Sequence, residues 1–250
     1  MTVAHTPLIV IPARMASTRL PDKPLAMIAG APMIVQVLRR ARESGLGDVI
    51  VACDGEAIAH EIRREGSPAI VTDPGLPSGS DRVWKAVEAY DPFAMHDIII
   101  NLQGDLPTLD PSLLTQLLPP FADPAIDIVT LAAPITDEAE KGAESVVKPL
   151  LVASRQSPVA SQNIYEAVDF VRGRAPEEPM YHHIGVYAYR REALKRFVGL
   201  KPSKRETERK LEQMRALDAG MRIACVLVDT VPLGVDTPED LEKAREVLVR

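Results

Sequence analysis

The run "DIIINL", Asp97 to Leu102, decides the fold. Successive strand residues point to opposite faces, and here the isoleucines fill both. A strand that is apolar on both faces is covered on both sides, as in the interior of a parallel sheet flanked by helices. The flanking sequence fits that reading. "LIVIP" (8–12), "DVIVAC" (48–53) and "PAIVT" (68–72) are further apolar strands. Between the first two, "APMIVQVLRRARESG" (31–45) carries apolar residues at 33, 34, 37, 38 and 41, a helical stripe ended by Gly45. "EAIAHEIRREG" (56–66), "DRVWKAVEAY" (81–90) and "PSLLTQLL" (111–118) also read as helices, and "IDIVTLAAPI" (126–135) as a strand. This alternation predicts an α/β protein with a doubly wound, mostly parallel sheet.

The rhythm breaks between about 137 and 190. "VVKPLLVA", "NIYEAVDFV" and "YHHIGVYAYR" look like strands separated by the polar, proline-bearing "SRQSPVASQ" and "RGRAPEEP". We read one domain over residues 1–250 with this segment as an embedded smaller lobe. Beyond it, "RREALKRFV" and "TERKLEQMRALDAG" (207–220) read as helices and "RIACVLV" as a strand. The last helix, in "TPEDLEKAREVLV", has Thr237 as N-cap and Pro238 at its first position.

Composition narrows the class. The chain has 250 residues, 46% hydrophobic and only 4% aromatic, so its core is built mainly from Val, Ile, Leu and Ala. The net charge of −6 argues against a nucleic-acid binder, which normally presents a basic surface. The two cysteines, Cys53 and Cys225, lie in apolar runs and imply no disulfide framework. The start "MTVAHTPLIV" lacks a charged region, a long apolar core and a cleavage site, and no run approaches the roughly 18 apolar residues of a membrane span. A cytoplasmic protein without membrane insertion is the expectation.

In an open α/β sheet, ligands bind outside the carboxyl ends of the strands. Four loops fall there. "PARMASTRLPDKPL" (12–25) carries Arg14, Arg19 and Lys23, cations that suit phosphoryl oxygens. It contains neither G-x-G-x-x-G nor a Walker loop, so any nucleotide is held some other way. "PSGSDR" (77–82) precedes a helix, with Ser80 or Asp81 as cap, Gly79 allowing close backbone approach and Arg82 adding charge. "QGDLP" (103–107) and "GVDTPED" (234–240) supply Asp105 and Asp236. Each is an ordinary turn residue alone; together, beside a basic loop, they suit magnesium, which takes one or two carboxylates plus phosphate oxygens and water. The pair His182–His183 does not suit zinc, because adjacent strand residues face opposite sides. The same alternation places Tyr181, His183 and Tyr187 on one face.

These blocks, with "LEQMRAL" (211–217), closely resemble the 3-deoxy-manno-octulosonate (Kdo) cytidylyltransferase family from about residue 8 to 247, in order and spacing. The resemblance implies a nucleotidyltransferase-like fold, a homodimer, and the reaction CTP + Kdo → CMP-Kdo + pyrophosphate, which feeds lipopolysaccharide synthesis. It implies that Arg14 and Lys23 meet the triphosphate and that Pro12, Ala13, Ser78, Gly79, Arg82 and Gln103 hold the nucleotide. Asp105 and Asp236 resemble the magnesium ligands, and with Arg14 and Lys23 they make the catalytic set. Gln103, Arg172, His183, Tyr187, Glu212 and Gln213 would hold the acid sugar, the arginine suiting its carboxylate.

The sequence also departs from the family. Leu106 stands where G-D-E-P has glutamate, and Val171 and Gly173 flank Arg172 where the family has Ser and Ala. A second register would use Ser154 and Arg155 instead of Arg172. The residues name no general base. Two other readings stand beside the main one: a cytidylyltransferase for another acid sugar, such as a sialic acid or amino-Kdo, and a non-catalytic nucleotide-binding regulator.

Overall fold

The computed structural model describes residues 5–17, 19–153, 163–176 and 178–249. The chain divides into two compact units, one of His5–Thr115 with Pro232–Arg250, the other of Gln116–Val231.

The first unit begins with β1 (Pro7–Ala13). A 3-10 turn at Lys23–Leu25 and a two-stranded ribbon, β2 (Met27–Ile28) and β3 (Ala31–Pro32), lead into α1 (Met33–Glu43). Then follow β4 (Asp48–Cys53), α2 (Glu56–Arg64), β5 (Ala69–Val71), α3 (Gly79–Tyr90), β6 (Ile98–Asn101) and α4 (Ser112–Thr115). The strands are parallel in the order β5-β4-β1-β6, with Val10 opposite Ile50 and Ile9 opposite Ile100. Leu8 to Ile11 and Ile98 to Ile100 are completely buried, as strands covered on both faces must be.

The chain winds outward from β1 through β4 to β5, then returns to the other side of β1 for β6. With right-handed crossovers this puts α1 and α2 on one face and α3 on the other. The carboxyl ends of β1 and β6 therefore diverge at a switch point, where a crevice opens.

The second unit contains β7 (Ile128–Pro134), α5 (Glu138–Gly142), β8 (Val147–Ala153), β9 (Ile164–Arg172) and β10 (Tyr181–Arg190). After these come α6 (Arg191–Gly199), α7 (Lys204–Arg209), α8 (Met214–Asp218) and β11 (Ile223–Leu227). Its strands run β10-β7-β11-β9-β8; β7 and β11 are parallel and the other described pairs antiparallel. The chain then re-enters the first unit as α9 (Pro238–Leu248).

Local chemistry explains where the helices differ from the sequence reading. The helix expected over 207–220 is two short ones. Ser203 and Glu206 form a capping box that starts α7 at Lys204, and Lys210, at φ 55°, ends it in the left-handed region. The helix expected over 111–118 stops at Thr115, ahead of Pro119 and Pro120, which form a 3-10 turn. α3 begins at Gly79 and is capped by Ser78, whose Oγ accepts from the Asp81 amide, rather than by Ser80 or Asp81. Thr237 caps α9 in a capping box with Asp240, and Pro238 opens that helix as expected.

Candidate active site

The switch point of the first unit holds a cleft of about 760 Å³, within the range of small-molecule sites. β1 delivers Pro12 and Ala13 to it, and the following loop delivers Arg14 and Lys23. The start of α3 adds Ser78, Gly79 and Arg82, the loop after β6 adds Gln103 and Asp105, and the segment before α9 adds Asp236. All ten residues read from the sequence as nucleotide or metal contacts thus line one cleft.

Backbone contacts set this geometry. Gly104 lies so close to β1 that a Cβ on it would stand 2.9 Å from the Pro12 carbonyl oxygen and 3.2 Å from Ile34 Cδ1. The Val235 amide donates to the Asp105 carbonyl at 2.9 Å, which sets Asp236 beside Asp105. Thr108 Oγ1 accepts from the Leu233 amide at 3.0 Å, extending the tie. Val235, Leu241 and Ala244 pack with Leu20, Ile28 and Met33, so apolar burial anchors the segment from below. Leu106 is buried beside this segment: a Cβ on Gly234 would lie 3.7 Å from its Cδ2. The leucine that stands where the resemblance leads one to expect glutamate is therefore a buried apolar side chain.

Lys23 is held by its turn, in which the Leu25 amide donates to the Asp22 carbonyl at 2.8 Å. Its ammonium donates to Asp105 Oδ2 at 2.8 Å and to Asp236 Oδ1 at 2.9 Å. Arg19 reaches the other oxygen of Asp236 at 3.1 Å. Burial opposes the Lys23 charge, but the two carboxylates outweigh it and raise the lysine above its ordinary range. Asp105 and Asp236 thus converge on a single cation, the arrangement a divalent ion with carboxylate ligands needs. Among the described residues no cluster of three or more His, Cys, Asp or Glu suits a metal, so phosphate oxygens and water would complete its shell.

Two supports escaped sequence reasoning. Asp54, just after β4, accepts from the Met15 amide with both oxygens, at 3.0 and 3.1 Å, and so ties down the loop beside Arg14. Thr72 Oγ1 accepts from the buried Arg82 at 2.5 Å. The only sequence hint was position, since both follow strands on the carboxyl side.

The second unit gathers part of the predicted sugar set. The rings of His183 and Tyr187 stand 5.4 Å apart, and Phe170 meets His183 edge-on at 5.2 Å. A bulge between Ile184 and Tyr187 turns two carbonyls toward Thr130, whose hydroxyl lies 2.9 Å from the Val186 oxygen and 3.0 Å from His183 Nε2. A hydroxyl that donates to a carbonyl accepts from the ring, which makes Nε2 the protonated nitrogen and Nδ1 the acceptor. Desolvation, with His182 adding to it, lowers the His183 pKa to about 3, so the ring is neutral at ordinary pH. Burial, then Tyr189 and Glu212, raise the Tyr187 phenol well above its usual range.

Glu212 also faces Arg215 at 3.8 Å, and Gln213 is buried at the start of α8. Arg172 ends β9 with its guanidinium on the carbonyls of Glu144 (3.0 Å) and Arg209 (3.3 Å). Ser154 and Arg155, the alternative register, lie outside the described residues.

A doubly wound sheet with a basic, glycine-lined crevice and a paired-carboxylate cation site defines the class as a nucleotidyltransferase. The sequence profile of the family described as "Cytidylyltransferase" matches residues 8–223, and the chain belongs to that family. It is 58% identical to the 3-deoxy-manno-octulosonate cytidylyltransferase of Parvibaculum lavamentivorans, covering 99% of this chain and 95% of the relative. It is 52% identical to the protein of the same name from Paramagnetospirillum magneticum, covering 97% and 98%. A solved CMP:2-keto-3-deoxy-manno-octonic acid synthetase complexed with CTP shares 36% identity and a TM-score of 0.87, over 98% of both chains.

Proposed function

We propose that the protein transfers the cytidylyl group of CTP to Kdo, forming CMP-Kdo and pyrophosphate. The observation that carries the reading is the shared cation of Asp105 and Asp236 at the mouth of a cleft that also presents Arg14, Arg82 and the α3 N-terminus. The full-length likeness to named Kdo cytidylyltransferases supplies the two substrates.

The anomeric hydroxyl of the sugar attacks the α-phosphorus of CTP in line, and the bond to the β-phosphate oxygen breaks. Catalysis of this kind rests on positioning and on charge neutralisation. Arg14 and Lys23 hold the triphosphate and neutralise the departing pyrophosphate. Ser78, Gly79 and Arg82 fix the nucleotide from the α3 side, and Gln103 from the loop after β6. Asp105 and Asp236 would hold magnesium, which when bound would supply charge neutralisation at phosphate oxygens and a lowered pKa for the attacking hydroxyl. In the second unit, His183 Nδ1 accepts from a sugar hydroxyl, with Tyr187, Glu212 and Gln213 beside it, and Arg172 meets the carboxylate after giving up its carbonyl contacts.

The wider reading is a cytoplasmic homodimer that serves lipopolysaccharide synthesis. Both cysteines of the chain are buried free thiols. Among the described residues no helix is long and apolar enough to cross a membrane. The terminal strand β8 and its neighbour β9 expose Val152 and Val168, which suits association. Pyrophosphate release tested with CTP, UTP, ATP and GTP against Kdo, amino-Kdo and sialic acid checks the assignment. Release with CTP and Kdo above all other pairs is expected. Preference for another acid sugar moves the protein within its family, and release with no pair favours a binding protein.

A further inference from the structure

Lys23 sits where the proposed metal would sit. Its ammonium bridges Asp105 Oδ2 and Asp236 Oδ1 at 2.8 and 2.9 Å, and its side chain is only 14% exposed. A divalent ion that used both carboxylates would have to expel the ammonium or share its ligands with a like charge, and either is unfavourable. The lysine has no reason to leave while the cleft lacks another anion. A triphosphate provides one: its oxygens accept from an ammonium, and the flexible lysine stem lets the charge move while its backbone stays in the turn.

Resting on the carboxylate reading above, we infer that Lys23 is a tethered stand-in cation that keeps divalent metal out of the free protein and yields the carboxylate pair only when a nucleoside triphosphate takes its ammonium. Metal and nucleotide therefore bind as a coupled pair, each raising the affinity of the other. Lys23 also holds two like charges together before the ligands arrive, so the pair is preformed. Arg19, paired with the outer oxygen of Asp236 and 65% exposed, adds a weaker, screened contribution.

Manganese binding, followed by the loss of its free paramagnetic signal with and without CTP, tests this without reference to turnover. In the absence of nucleotide, Lys23→Met and Lys23→Gln should each bind manganese at least about tenfold more tightly than the starting protein. Lys23→Arg, which keeps the charge, should stay near it. Adding Asp105→Asn and Asp236→Asn to Lys23→Met should abolish the gain.

Unchanged nucleotide-free affinity in both charge-removed variants overturns the inference, and so does an equal gain in Lys23→Arg. The carboxylate reading fails separately, if Asp105→Asn and Asp236→Asn leave manganese binding in the presence of CTP intact.

Discussion

The backbone amide of Met15 stands 3.0 Å from one carboxylate oxygen of Asp54 and 3.1 Å from the other. A side chain at the end of β4 thereby anchors the loop that carries Arg14, although it does not line the cleft. Hydrogen bonds to charged groups contribute about 1.5–3 kcal/mol. Asp54→Ala should therefore raise KM for CTP by roughly tenfold or more while leaving KM for Kdo and kcat much closer to the starting values. Asp54→Asn keeps one acceptor and should fall between. Initial rates with each substrate varied in turn decide it; equal effects on both substrates would mean that Asp54 supports the fold rather than the loop.

Asp105→Asn and Asp236→Asn should each lower turnover by roughly a thousandfold, several kcal/mol of barrier, with little change in thermal midpoint. Their side chains are 33% and 50% exposed, so little core packing is lost. More than about a tenth of the starting rate at saturating magnesium, in either variant, would contradict metal ligation by that residue.

Close backbone approach makes Gly104 irreplaceable. The Cβ of Gly104→Ala would meet the Pro12 carbonyl oxygen at 2.9 Å, and backbone cannot swing away as a flexible side chain can. Overpacking of this kind costs about 1–3 kcal/mol. The variant should show a lower midpoint in urea and a raised KM for CTP, because β1 and β6 must separate at the cleft. A midpoint and KM equal to those of the starting protein would show that the strand ends have slack.

The sheet was legible because its signal is local and strong. Ile98 to Ile100 need no partner to announce a strand covered on both faces, and the cations of residues 14 to 23 stand out from an acidic chain. The N-cap at Thr237 was equally plain. The break at Lys210 was harder, because the apolar pattern continues through Leu211 and Met214 and only the Ser203–Glu206 capping box marks where α7 begins. Asp54 and Thr72 were hidden for another reason: they act through hydrogen bonds over 39 and 10 residues, which no spacing rule records. Asp105 and Asp236 sit 131 residues apart and are brought together by contacts such as the Val235 amide on the Asp105 carbonyl, which no sequence spacing records.

His183 gives a pH signature. Its folded pKa of about 3 lies below the ordinary value of 6.5, so between these values the unfolded chain binds a proton that the folded chain refuses. Stability linked to His183 is therefore fully present above about pH 6.5 and is lost as pH falls, by at most about 1.4 kcal/mol per pH unit. His183→Phe removes the group while every other titration is shared. Its unfolding free energy relative to the starting protein should improve on going from pH 7 to pH 5, while KM for Kdo rises at both. A constant difference between the two pH values would mean that the folded ring titrates normally.

A site that tells one pyrimidine from another does so by hydrogen bonding. Cytosine and uracil differ in donor and acceptor at the exocyclic edge, so a site complementary to one leaves a buried polar group unpaired with the other. Each such group costs about 1–3 kcal/mol. Pro12, Ala13, Ser78 and Gly79 line the cleft, and backbone groups that met the base there could not rotate to suit both cytosine and uracil. A purine brings a second ring and a different set of donors and acceptors to an edge complementary to cytosine. CTP should exceed UTP by at least about tenfold in kcat/KM, with ATP and GTP near background. ATP turnover equal to that with CTP would overturn base recognition at this edge while leaving the phosphate and carboxylate assignments intact.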